Sequence, residues 1–174
     1  MQGSDHFSLP YTGMKDGLHR YRFVAKDDFF ARFQGSPITQ GEFEVNLILD
    51  KRPGLSELDF DIDGRMSTVC DRCTADIKLP VHGRYHLILK TGTGDDEDVD
   101  VIYIREDQPK LDLSQLVYEF ICLSVPMMHV YDCSKEVPGV CNQEVLSRLG
   151  VPEPVKEAKP KGGVWDALRD FSDE

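Results

Sequence analysis

The sequence predicts an α+β protein, a mainly antiparallel sheet or open barrel with helices at its edge. Three observations lead there. Between residues 18 and 91 apolar and polar side chains alternate in successive runs, the period of half-buried strands. The strongest helical periodicity comes later, over Asp112 to Val125. Strands and helices do not alternate as they would in βαβ units, so the two kinds of element are segregated along the chain.

Taken in order, LHRYRFV (18–24) reads as a first strand. KDDFFARFQG follows, with acidic residues suited to a helix start and Gly35 as its stop. EFEVNLILD and ELDFDIDG alternate as two further strands, joined across a Pro53-Gly54 turn. IKLPVHGRYHLILK is β-rich and is expected to be broken at Pro80 and Gly83. The acidic stretch TGTGDDEDVD (91–100) reads as a solvated loop, with a calcium site as the sharper alternative, before a strand VIYI. In the helix 112–125, Leu113, Leu116, Val117, Phe120 and Ile121 share one face. Asp112 and Gln115 resemble a capping box and Pro126 ends the run. A loop to about Cys141 and a short helical piece, NQEVLSRLG, complete a domain over residues 1–150. Residues 151–163 are Pro-rich, charged and Gly-ended, as linkers are, and 164–174 reads as a short amphipathic helix.

A chain of 174 residues with 40% hydrophobic and 29% charged side chains suits one soluble globular domain with short appendages. No apolar run approaches the roughly 20 residues that span a bilayer. The first residues lack a basic start followed by an apolar segment, so no secretory signal is expected and the cytoplasm is the expected compartment. Thiols stay reduced there. The formal charge is −11, from 31 acidic and 20 basic side chains. A field of that sign opposes association with nucleic acid phosphates and suits a basic protein partner, beside its plain value for solubility.

Five cysteines pose the chemical question. Cys70 and Cys73 form a C-x-x-C, but no helix of useful length begins there to lower a thiol pKa, which tells against a redox dithiol. A four-coordinate zinc site needs two further ligands, and Cys133 and Cys141 supply them, with His129 close by as a reserve. Spacing alone leaves zinc beside reduced, unliganded thiols. Cys122, between Ile121 and Leu123, reads as a small buried hydrophobe. Asp59 to Gly64 imitates the opening of a calcium-binding EF-hand loop, yet Cys70 stands where a bidentate Glu is required. Histidines 6, 19, 82, 86 and 129 have no spacing that demands a shared site, and no nucleophile elbow, P-loop or dinucleotide fingerprint occurs. No enzymatic activity is expected.

The order of these pieces resembles a known family. Cys70-Asp71-Arg72-Cys73 between strands is followed by an acidic loop. Then come Asp112, Leu113, Leu116, Val117, Glu119, Ile121, Leu123 and Pro126, and after them Pro138-Gly139-Val140-Cys141. A tail echo lies in Trp165, Asp166, Ala167 and Leu168. This order, from about residue 18 onward, is similar to the YceD family, also grouped as DUF177 and linked to accumulation of large-subunit ribosomal RNA. Many relatives close the second cysteine cluster with Cys-x-x-Cys-Gly, whereas here Asn142, Gln143 and Glu144 follow Cys141, and the tail has Gly162, Gly163 and Val164 in place of Asp-Pro-Arg.

The resemblance favours a structural zinc clamp on Cys70, Cys73, Cys133 and Cys141. It also implies a role in large-subunit biogenesis, which the lack of catalytic motifs makes an accessory, non-enzymatic one. The net charge favours a basic ribosomal or ribosome-assembly protein as partner over rRNA itself. The rival classes are a direct RNA-binding module, which would need a basic patch around Arg20, Arg22, Lys26 and Arg32, and a thiol-redox protein, which would need an exposed cysteine of low pKa.

Overall fold

A computed structural model of the chain describes residues 7–92, 101–105, 108–131 and 139–149. The elements are β1 (Ser8–Leu9), β2 (Gly17–Ala25), α1 (Asp27–Phe30), β3 (Gly41–Arg52), β4 (Leu55–Val69), β5 (Asp76–Thr91), β6 (Val101–Ile104), β7 (Leu111–Asp112), α2 (Ser114–Ser124) and α3 (Gln143–Arg148). Strands β2-β3-β4-β5-β6 form one open sheet in sequence order, and β1 pairs with β7 in a two-stranded ribbon. The expected α+β class holds, with an open sheet and not a closed barrel.

Alternation decides which face is buried. Phe43, Val45, Leu47 and Leu49 of β3 point inward, as do Leu58, Phe60 and Ile62 of β4 and Ile77, Leu79, Val81, Leu87 and Leu89 of β5. The Pro53-Gly54 turn closes the β3–β4 hairpin as expected, with Gly54 at φ +74°, a backbone region that favours glycine. Asp59 to Gly64, the apparent calcium motif, is a length of β4. A Cβ at Gly64 would meet the Glu42 carbonyl oxygen and the Phe43 ring at 2.5 Å, so this glycine serves packing.

The sheet is mainly antiparallel, as expected, and three other expectations need correction. β5 is continuous from Asp76 to Thr91 despite Pro80 and Gly83. Its second neighbour, β6, pairs only with Ile88 to Thr91, so the other edge of β5 near Pro80 asks for no backbone donor. β6 is parallel to β5, while every other pairing in that sheet is antiparallel. α1 ends at Phe30, and Gly35, at φ +78°, lies in the turn beyond it. The capping box does not form. Asp112 belongs to β7, its carboxylate accepts the Ser114 backbone N–H at 2.9 Å, and Gln115 bonds forward to Glu119.

α2 packs its predicted face on the sheet. Val117, Phe120 and Ile121 are buried. The Phe120 ring stacks on Tyr85 of β5, with centroids 4.2 Å apart, and meets the edge of Phe60 at 5.2 Å. Contact is close because Gly83 lacks a side chain beneath Ser124, whose hydroxyl donates to the Phe120 carbonyl at 2.6 Å and bonds the Tyr85 hydroxyl at 3.0 Å. The proposed linker 151–163 and helix 164–174 lie outside the described residues.

Candidate functional site

β3 begins at Gly41, opposite Met66 of β4. Beyond it β4 and β5 continue as a two-stranded ribbon whose turn carries Cys70 and Cys73. The Cys70 N–H donates to the Ala75 carbonyl and the Thr74 N–H to the Cys70 carbonyl, each at 2.8 Å. Thr74 takes φ +57°, which lets the chain reverse within the turn. Both cysteines end up buried, Cys70 at 2% and Cys73 at 0% exposure. Backbone hydrogen bonds from Ala75 and Asn142 hold the Cys73 thiol below its ordinary pKa, and Cys70 and the Arg72 charge act the same way.

The turn is clasped from the side. The Asp71 N–H donates to the His129 carbonyl at 3.2 Å, and the His129 N–H donates to the Asp71 carboxylate at 2.6 Å. His129 Nδ1 bonds the Thr68 hydroxyl at 3.1 Å. Arg72 reaches Cys141 Sγ at 3.9 Å. Three of the sequence-predicted residues, Cys70, Cys73 and Cys141, therefore belong to one neighbourhood, together with His129. Cys133 lies outside the described residues.

Among the described residues no group of three or more metal-ligating side chains is arranged to hold an ion, so the zinc clamp has no direct support there. Cys141 is disulfide-bonded. The setting of Cys73 nevertheless suits a thiolate metal ligand. Backbone N–H groups directed at a buried sulfur stabilise its anion, the form that binds zinc. A disulfide and a metal thiolate are alternative states of one sulfur, so metal binding would require Cys141 to be reduced. Burial also keeps solvent and disulfide partners from Cys70 and Cys73, which argues against thiol exchange.

Cys122 is a half-buried free thiol packed on the core, its pKa pushed up by burial. The described histidines are dispersed. His82 pairs with Asp63 at 2.6 Å, His86 with Asp59 at 2.8 Å, and His19 bonds the Lys15 carbonyl at 2.8 Å. With Arg84 and Asp61 between them, the two His–Asp pairs form a cross-strand polar ladder on the outer face of the sheet.

The basic patch that the rival RNA-binding reading would need is not a free one. Arg22 is paired with Glu44, Lys26 with Glu42 and Arg32 with Asp28, so three of its four cations face carboxylates. The structure also redistributes the net charge. Of 20 basic and 31 acidic side chains, 5 and 16 lie outside the described residues, leaving 15 of each within them. The described scaffold is formally neutral, and the whole −11 resides in the other segments.

A family model described as large ribosomal RNA subunit accumulation protein YceD matches residues 58–172, well over half of the chain. The chain belongs to the YceD family. The match opens in β4 and so takes in the cysteine turn, α2, α3 and the tail, but not β2 or β3; it is narrower than the resemblance read from residue 18 onward. Membership implies a role in the accumulation of large-subunit ribosomal RNA. No curated protein and no solved structure matches the chain. Among the described residues no helix is long and apolar enough to cross a membrane.

Proposed function

We propose that this YceD protein is a non-enzymatic, cytoplasmic accessory factor that supports large-subunit rRNA by holding a basic ribosomal or ribosome-assembly protein. The observation that carries this reading is the distribution of charge. A neutral scaffold bears an acidic surplus in discrete segments, and Asp95, Asp96, Glu97, Asp98 and Asp100 stand together with no basic residue among them. Such a segment attracts a Lys- and Arg-rich surface and speeds encounter with it. The scaffold's role is to present that segment between β5 and β6.

Within this reading Cys70, Cys73, Cys133 and Cys141 hold one structural zinc ion. Bound there, zinc would contribute folding free energy by tying the β4–β5 turn to the loop after α2. The residues around it already act in that sense: the Asp71 N–H donates to the His129 carbonyl, the His129 N–H donates to the Asp71 carboxylate, and Ala75 and Asn142 present N–H groups to Cys73.

A pull-down from growing cells tests the partner. Ribosomal or assembly proteins should be retained with and without ribonuclease and be lost when Asp95, Asp96, Glu97 and Asp98 become Asn or Gln. Capture that vanishes with ribonuclease, or that ignores the neutralised segment, would refute the reading.

A further inference from the structure

α2 turns one side to the sheet, and its other side has no cover among the described residues. Val117, Phe120 and Ile121 are buried beneath it. Gln115, Glu119 and Leu123, four residues apart, form an exposed stripe along the opposite side. The stripe runs on past the helix end. Leu123 is 71% exposed, Met127 100% and Met128 71%, and Pro126 and Val130 are exposed beside them. An apolar ledge of this kind marks an interaction surface more often than a chance exposure, because its members are contiguous.

The ledge is fixed at both ends. On one side the Ser124 hydroxyl is tied to the Phe120 carbonyl and the Tyr85 hydroxyl, and the Val125 N–H donates to the Cys122 carbonyl at 3.2 Å. On the other, the Val130 N–H donates to the Met128 carbonyl at 3.0 Å, and His129 is clasped to Asp71 and Thr68. Met127 and Met128 are therefore presented from a backbone already in place, which lowers the ordering cost of a contact. Methionine is unbranched and polarizable, and it adapts to the apolar surface it meets.

Charge selects the partner. From Leu111 to Tyr131 the chain has no Lys or Arg, and its carboxylates are Asp112 and Glu119. Glu119 stands in the stripe one turn before Leu123, where the Gln115 amide donates to it at 2.7 Å and leaves its charge in place. Asp71 borders the far end beside His129, while Arg72 reaches toward Cys141 Sγ. An apolar ledge bordered by carboxylates complements an apolar surface bordered by Lys and Arg, and it disfavours the phosphates of lipid or RNA.

We propose that the outer stripe of α2 and the Met127–Met128 ledge bind an amphipathic, Lys- and Arg-rich helix of the protein partner. Its apolar residues lie on Leu123, Met127 and Met128, and its cations face Glu119 and Asp71, the arrangement by which amphipathic helices are commonly recognised. The inference deepens the protein-partner reading and rests on it for the partner's basic character. It uses the scaffold and does not need residues 95–100.

The test is carbon-13 methyl NMR of the full chain labelled at methionine, titrated with an eighteen-residue helical peptide of Leu and Lys that is apolar on one face. The Met127 and Met128 signals should shift saturably, while those of half-buried Met14 and buried Met66 stay in place. Met127→Gln with Met128→Gln should weaken binding tenfold or more, and Glu119→Gln two- to threefold, both at unchanged melting temperature. A peptide of the same composition in scrambled order should bind at least tenfold more weakly. Unmoved Met127 and Met128 signals, or equal binding of the scrambled peptide, would overturn the proposal. So would shifts of those signals on concentrating the protein alone, or on adding phosphatidylglycerol vesicles in place of peptide. Neutralising Asp95, Asp96, Glu97 and Asp98 separates the two readings. Partner capture lost only in that variant refutes the ledge and keeps the acidic segment; capture lost only in the methionine variant does the reverse.

Discussion

Gly83→Ala should unseat α2 from the sheet. Glycine in a strand interior ordinarily gains from alanine, by about 0.4–1 kcal/mol, because the unfolded chain loses freedom. The backbone here is not in the left-handed region, so nothing local opposes the change. The neighbours oppose it. The new Cβ would stand 2.0 Å from Ser124 Oγ, 2.9 Å from Ser124 Cβ and 3.0 Å from a Tyr85 ring carbon, against the ~3.5–4.0 Å of relaxed carbon contacts. Ser124 Oγ cannot swing away freely, since it is tied to the Phe120 carbonyl and the Tyr85 hydroxyl. Relief requires the last turn of α2 to lift, drawing Phe120 off Tyr85.

Overpacking of this kind costs about 1–3 kcal/mol, and one lost hydrogen bond adds about 1 kcal/mol. With the alanine gain subtracted, the expected net destabilisation is about 1–3.5 kcal/mol, read from urea denaturation followed by circular dichroism. Ser124→Gly removes both of the closest atoms. In that background Gly83→Ala should be about neutral, a coupling of at least about 1 kcal/mol and typical of residues in contact. A stabilising Gly83→Ala, or the same cost in both backgrounds, would show that α2 does not sit on Gly83 as described.

Three further outcomes are expected. Phe120→Ala should cost about 3–5 kcal/mol in reversible denaturation, the range for truncating a buried aromatic; a loss under about 1 kcal/mol would place that face away from the sheet. Protein purified reduced and without chelator should carry about one zinc per chain by elemental analysis, with Cys73→Ser losing the metal and lowering the melting temperature; metal-free reduced protein of unchanged stability would leave the thiols as packing alone. The tail is expected to dock Trp165, Leu168 and Phe171 on an assembly partner, because a helix of about two turns is marginal alone in water. Trp165 fluorescence should then shift to the blue only on addition of cell extract, and burial of Trp165 in the isolated chain would reject the idea.

The sequence by itself determined the sidedness of every long strand and of α2. Apolar positions two apart in β3 and β4, and three or four apart in α2, can be buried together in one way only, whatever lies opposite. It also determined that Cys70 and Cys73 sit in a turn between strands, and that no membrane-length apolar run occurs. What it could not hold was pairing. Pro80 and Gly83 looked like breaks because their local cost is visible in the chain, while the open edge beside Pro80 and the helix seated on Gly83 belong to other segments. Asp112 looked like a helix cap until β1 claimed it as a strand partner. Charge behaved the same way. A sum over the chain is blind to place, so the basic stretch from Arg20 to Arg32 proved mostly paired with carboxylates, while Arg65 and Lys78, thirteen residues apart, became neighbours. Period is a property of one segment and survives in the sequence; register joins two segments, and only the folded sheet specifies it.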